Sequence, residues 1–359
     1  MAKLISQQNP LGIDCIDHLE FTCDNLGSTE MRELFHTMGF SKTYQNEAGT
    51  RELYSQGQVR FYLVGDKEAS SHARQYFEKH GEGVSKISFL VEDAEHALNE
   101  ASNRGAEIVQ NLQCEETEHG VFRWGMIQGF GDVLNEFVER PRSFFRPGLQ
   151  KLESDSQARP LSSRVARIDH LTNNVPHGEK KKWVDFYKNI YGFEVSRYFD
   201  IKGKKTGLES EVVQMPSGAV IIPINESDAE NSKSQIQEFL DRHNGAGVQH
   251  IALSCAEIIS TVTDLRERGM QFLDIPHTYY QDIPNRGLNI EENIDTLEKT
   301  QLLVDGNEEG YLIQNFTDTY VGPLFFEFIQ RKNNNGFGEG NFQALFDAIE
   351  RDQEKRGHL

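Results

Sequence analysis

His170, His250 and Glu327 are the side chains of this 359-residue sequence whose types and setting could support redox chemistry. Two imidazoles and one carboxylate can bind one face of Fe(II) and leave positions open for a substrate and dioxygen. The same residue types also serve zinc in Lewis-acid hydrolysis, so ligand identity alone leaves both metals open. Glu327 lies in the apolar run Leu324-Phe325-Phe326-Glu327-Phe328-Ile329. A carboxylate there is costly to bury unless it is paired or bound to a metal. A single histidine in a strand is ordinarily a hydrogen-bonded core residue, so the weight falls on how the three are related.

They are related by an internal repeat, the feature to look for first because it decides the architecture. Ile16-Asp17-His18-Leu19 followed by Met38-Gly39-Phe40 returns as Ile168-Asp169-His170-Leu171 followed by Tyr191-Gly192-Phe193. Gly83-Val84-Ser85-Lys86-Ile87-Ser88-Phe89 returns as Gly247-Val248-Gln249-His250-Ile251-Ala252-Leu253, and Leu134 to Arg140 returns as Phe325 to Arg331. Aligned in this way, the second half offers His170, His250 and Glu327 where the first offers His18, Lys86 and Glu136. An ammonium cannot ligate a metal, so the second half alone can build the site, and His18 reads as structural. His72, His80, His96, His119, His243, His277 and His358 stand in polar or loop-like sequence, where a solvated histidine is the default.

Period-two segments interrupted by amphipathic helices predict an α+β chain. The helices are expected over Ser28 to Met38, Asp93 to Arg104, Lys180 to Ile190 and Ala256 to Arg268, the second and fourth ending at Arg-Gly, where glycine suits a helix terminus. Four strand-helix-strands (βαβββ) units, two per domain, would curl into two open barrels. A polar, proline-bearing stretch separates a domain over 1–145 from one over 165–359, with 146–164 as linker. Phe342, Leu345, Phe346 and Ile349 fall at helical spacing in Asn341 to Arg356, predicting a closing C-terminal helix.

Composition narrows the class. A formal charge of -19 disfavours nucleic acid and anionic membranes as partners. Glu179 to Lys182 and Lys202 to Lys205 are short lysine-dense stretches that read as solvated faces. No apolar run reaches the roughly eighteen residues of a membrane span, and the first residues lack the order of a secretory signal, so a cytoplasmic protein is expected. Cys15, Cys23, Cys114 and Cys255 have no CxxC spacing and are expected to be thiols.

Four further segments carry a family resemblance: Ser234 to Phe239, Gly245 to Leu253, Phe325 to Arg331 and Gly336-Phe337-Gly338-Glu339-Gly340-Asn341-Phe342. From about Ile168 to Phe346 the sequence resembles the 4-hydroxyphenylpyruvate dioxygenase family of the vicinal-oxygen-chelate (glyoxalase/bleomycin resistance-like) superfamily. The first half resembles it in pattern only. The resemblance implies Fe(II) on His170, His250 and Glu327, with Ser210, Asn225, Gln235, Gln249 and Gln314 as polar pocket residues. Phe337 and Phe342 fall on its stacking positions, and Phe316 and Phe325 on further pocket positions. It also implies 4-hydroxyphenylpyruvate and O2 as substrates, homogentisate and CO2 as products, and a homodimer or homotetramer. In that picture Asn225 and Gln235 orient the substrate, Gln249 and Gln314 surround its ring, and the C-terminal helix covers the entrance. Hydroxymandelate synthase, with the same substrate and iron, is the near alternative, although Pro223-Ile224-Asn225 and Phe337 look more like the dioxygenase. A non-catalytic binding protein or a zinc or nickel isomerase on the same scaffold would differ in metal content or oxygen use.

Overall fold

The computed structural model describes residues 4–229 and 233–357, so His358 lies outside the described residues. Nine strands build a first sheet: β1 (Ile13–Thr22), β2 (Ser41–Gln45), β3 (Arg51–Gln56), β4 (Val59–Val64), β5 (Gly83–Val91), β6 (Ile108–Thr117), β7 (Gly120–Gln128), β8 (Leu134–Glu139) and β9 (Gln150–Lys151). Eight build a second: β10 (Val165–Asn174), β11 (Glu194–Lys202), β12 (Gly207–Gln214), β13 (Ile221–Ser227), β14 (Gly247–Cys255), β15 (Leu303–Asn307), β16 (Gly310–Phe316) and β17 (Phe325–Lys332).

The repeat seen in the sequence is a repeat of topology. Read from one edge, the first sheet runs β9-β2-β3-β4-β1-β5-β8-β7-β6, and the second runs β11-β12-β13-β10-β14-β17-β16-β15, the same order apart from the added β9. Both pair their two central strands antiparallel, β1 with β5 and β10 with β14, and flank them with parallel partners. Parallel neighbours need crossover connections, which the intervening helices supply. The short β9 pairs with β2, so the expected linker contributes an edge strand to the first sheet.

Burial tracks position in the sheet. The edge strand β6 alternates between half-buried and exposed, whereas β5 is buried along its whole length. A central strand covered on both faces loses the alternation that marks a half-exposed one. Polar residues in such strands therefore face interior space, and that is where Lys86, Gln249 and His250 stand.

The four helices expected from sequence lie at Met31–Thr37, Ala94–Asn103, Lys180–Phe186 and Ile258–Glu267, the third extended by a π turn over Tyr187–Tyr191, and further helices span His72–His80, Gln235–His243, His277–Asp282 and Ile294–Thr300. The first starts later than its periodicity predicts because the Asn25 side chain accepts from Gly27 N and Thr29 Oγ1 accepts from Met31 N, holding a turn there. Gly105 and Gly269, at φ +99° and +91°, follow the second and fourth as expected of left-handed helix caps. The terminal helix spans Glu339–Lys355. Glu350 tethers it by accepting from the backbone N–H groups of Lys204, Lys205 and Thr206.

Two surface expectations are corrected. His80 and His243 are buried, with rings stacked at 4.6 Å across the junction of the two halves. Lys180 is buried and paired with Glu209 at 2.6 Å. In each case a partner distant in sequence supplies what local polarity could not show. All four cysteines are free thiols.

Candidate metal centre and substrate cavity

Strands β10, β14 and β17 bring the triad together. β10 and β14 are antiparallel neighbours with Thr172 opposite His250 and His170 opposite Ala252, and parallel pairing then sets Glu327 beside Ala252. Glu327 Oε2 lies 3.2 Å from His170 Nε2 and 3.5 Å from His250 Nε2. The two Nε2 atoms are 3.4 Å apart. Among the described residues these three form the one group of potential metal ligands whose donor atoms all fall within 4.8 Å of one another.

What lies behind the imidazoles decides their tautomers. His170 Nδ1 bonds Asp169 Oδ1 at 2.9 Å, and His250 Nδ1 bonds Gln249 Oε1 at 3.0 Å. Both acceptors require the proton on Nδ1, which leaves both Nε2 lone pairs turned toward Glu327. The donor set of two nitrogens and one carboxylate oxygen, all buried, fits a divalent cation.

Burial opposes charging His170, but Glu327 and Asp169 outweigh it and lift its pKa to about 9. Burial lowers His250 against the pull of Glu327. Burial would also raise the Glu327 carboxyl, yet the two imidazoles hold it below its ordinary range.

The cavity beside the triad is lined by His170, Thr172, Phe199, Ser210, Pro223, Asn225, His250, Gln314, Phe316, Glu327, Phe337, Phe342 and Leu345. Of the polar residues selected from sequence, Ser210, Asn225 and Gln314 line it. Their Ser210 Oγ, Asn225 Oδ1 and Gln314 Oε1 atoms are buried and lack hydrogen-bond partners. Native interiors rarely leave such atoms unpaired, so a cluster of three facing one space marks a place for a polar ligand.

Phe337 meets the His170 ring edge-on at 5.4 Å, and Phe342 packs on Phe199 at 5.5 Å. Phe316 stands edge-on to His250 at 6.4 Å, while Phe325 stacks on that ring at 4.9 Å. Gln235, Gln249 and Phe325 line a neighbouring cleft that also takes in Phe239, Arg242 and Ile349. His250 lines the cavity and Phe325, stacked on it, lines the cleft, so the two spaces adjoin.

Sequence reasoning did not select Thr172, Phe199 or Leu345. Thr172 was within reach, since it follows His170 by two residues on one strand and shares its face. Its hydroxyl lies 3.0 Å from His250 Nε2. Phe199 sits in β11 with no motif around it, and only the tertiary fold brings it to the cavity.

The first half shows what the same framework does without the ligands. His18 bonds Asp17 at 2.9 Å, and its Nε2 lies 3.6 Å from Glu136. Lys86 Nζ pairs with Glu20 at 2.8 Å, and Arg146 pairs with Glu136. An ammonium and a guanidinium thus supply the positive charge that a metal would bring.

Comparisons with known proteins identify the family and the fold. Residues 7–144 match the family model described as the N-terminal domain of hydroxyphenylpyruvate dioxygenase. Residues 167–282 match that of the glyoxalase/bleomycin resistance protein/dioxygenase superfamily. The fold of two glyoxalase-type domains recurs in a mutant 4-hydroxymandelate synthase from Streptomyces coelicolor, with TM-score 0.83 and 24% identity over 95% of this chain and 99% of that one. Two sheets of repeated topology, one of them holding a His-His-Glu triad, place the chain in the glyoxalase/bleomycin resistance protein/dioxygenase superfamily.

The chain is 39% identical to 4-hydroxyphenylpyruvate dioxygenase of Pseudomonas aeruginosa over 98% of both chains. It is 40% identical to the protein named hemolysin VllY of Vibrio vulnificus over 99% of both. The chain belongs to the 4-hydroxyphenylpyruvate dioxygenase family.

Proposed function

We propose that this chain converts 4-hydroxyphenylpyruvate and O2 to homogentisate and CO2, with Fe(II) held by His170, His250 and Glu327. The observation that carries this reading is the pairing of a metal-competent triad with three unsatisfied polar atoms in one phenylalanine-lined cavity. Relatives named for that activity, similar over nearly the whole chain, supply the substrate. Fe(II), when bound, supplies the electrons that activate dioxygen and an anchor for the 2-oxo acid.

The chain's own residues do the rest. Asp169 and Gln249 hold both imidazoles with Nε2 free for the metal. Ser210, Asn225 and Gln314 offer a hydroxyl and two amides to the phenol and carboxylate oxygens, and Phe337 and Phe342 hold the flat ring between them. Gln235 and Gln249 line the adjoining cleft, which in this reading is the approach to the cavity. The terminal helix places Phe342 and Leu345 in the cavity wall and excludes water from the reacting atoms. Residues 165–359 form the catalytic unit, joined through 146–164 to a first domain, 1–145, that offers no metal-ligand group among the described residues.

Chromatographic identification of the product from the Fe(II)-loaded protein tests this reading. Homogentisate is expected. Hydroxymandelate would keep the site and overturn the way the ring is presented, and recovery of unchanged substrate under oxygen would overturn the reaction.

A further inference from the structure

Behind the His170 ligand lies a device that the ligand set does not account for. Asp169, which accepts from His170 Nδ1, is gripped by the Arg331 guanidinium through Nη2 at 2.7 Å and Nε at 2.9 Å. The third nitrogen, Nη1, faces the other way and donates to the backbone carbonyls of Asn334 and Gly336. Those carbonyls belong to the loop that carries Phe337 onto the His170 ring. The loop runs straight into the terminal helix, with Gly338 at φ +68° accepting from Phe342 N at 2.7 Å. One planar fork therefore contacts both the support of a metal ligand and the loop that leads into the helix walling the cavity.

The device is duplicated. In the first half Arg140 holds Asp17 through Nη2 at 2.6 Å, Asp17 holds His18, and Arg140 Nη1 donates to Phe144 O at 2.6 Å. Phe145 then meets the His18 ring edge-on at 5.0 Å. There the clamp joins a loop to a histidine that has no metal to hold, so the clamp can be separated experimentally from the metal.

We propose that Arg331 is a positioning residue that couples metal binding at His170 to closure of the terminal helix. Guanidinium geometry makes this coupling specific, because five N–H groups in a fixed plane cannot serve Asp169 and the loop carbonyls independently. A metal that fixes the His170 ring fixes Asp169, and through Arg331 the loop. By linkage, a closed helix favours the ring orientation that binds metal. The inference rests on the metal site proposed above.

Anaerobic Fe(II) titration against a competing chelator, together with amide hydrogen exchange over 333–350 with and without Fe(II), tests it. Fe(II) is expected to slow exchange in that segment of the unaltered protein. Arg331→Gln should weaken Fe(II) binding by about 10- to 100-fold, the range for supports of metal ligands, and should abolish the metal-dependent slowing. Arg331→Lys, which keeps the charge and loses the fork, should retain part of the affinity but little of the slowing. Arg140→Gln should lower thermal stability and change neither readout. Equal Fe(II) affinity in the Arg331 and Arg140 variants, or metal-dependent slowing that survives Arg331→Gln, would overturn the coupling. Absence of Fe(II) binding by the unaltered protein would overturn the metal site and the coupling together.

Discussion

At the scale of single residues, the polar atoms left unpaired say more about the ligand than those already bonded. Gln314 Oε1 and Asn225 Oδ1 are buried without partners, while Asn225 Nδ2 donates to Asn174 at 3.3 Å. The Asn225 amide is thus held on one side and free on the other, as a substrate contact needs. Replacing Gln314 by Leu keeps volume and removes the polar group. Losing a hydrogen bond to a charged or strongly polar ligand costs about 1.5–3 kcal/mol, so kcat/KM should fall by roughly 10- to 100-fold. Steady-state oxygen uptake checks this, and an unchanged kcat/KM would remove Gln314 from the substrate site. The triad itself was legible because the repeat set His250 against Lys86, a contrast that needs only residue types. The neighbours of the triad were less so, since Phe199 reaches the cavity from an edge strand and Gln249 turns to His250 Nδ1, geometry that no spacing encodes.

At the scale of elements, the terminal helix and the junction between halves each carry a prediction. Phe342 and Leu345 wall the cavity from one side, so ending the chain before Asn341 should open the cavity to water. Turnover should fall at least about tenfold, with oxygen consumed in excess of product. Parallel assays of oxygen and homogentisate test this, and unchanged turnover and coupling would show that the helix is not a cover. The helix was predictable because its apolar residues keep one period, whereas the junction was not.

There His243 accepts from the Tyr76 hydroxyl at 2.9 Å, its carbonyl bonds His80 Nδ1 at 2.8 Å, and His80 Nε2 bonds Asp132, which also pairs with Lys79. Burial, aided by His80, pushes the His243 pKa down to about 4 from 6.5. The unfolded chain therefore takes up this proton first, and the associated stability is full above about pH 6.5 and drains as pH falls toward 4. Relative to His243→Gln, the unaltered protein should lose about 2 kcal/mol more between pH 7.5 and 5. Urea midpoints at the two pH values measure this, and parallel losses would place the acid-sensitive group elsewhere.

At the scale of the whole molecule, the halves share one core rather than touching at a surface. Phe61 of the first sheet packs with Phe326 of the second at 6.1 Å, and Asn135 donates to the Tyr191 hydroxyl at 2.6 Å. Gly57, at φ +57°, lets the chain pass so close that a Cβ there would sit 2.4 Å from Val165 O. Alternating and amphipathic patterns showed two similar halves but gave no sign that they fuse, because a buried interface and a buried core select the same residues. One cooperative thermal transition is therefore expected, coincident by circular dichroism and tyrosine fluorescence. Two separated transitions would show that the halves fold independently.

The fused first half supplies a scaffold and a charge-filled replica of the site, leaving one candidate metal centre among the described residues. The most direct measurement is oxygen uptake by the Fe(II)-loaded protein on adding 4-hydroxyphenylpyruvate, with homogentisate quantified alongside and His250→Ala as control. Equal amounts of oxygen consumed and homogentisate formed, both abolished in His250→Ala, are predicted. Uptake that survives His250→Ala, or no uptake by a protein that has bound iron, would contradict the triad as the centre of the chemistry.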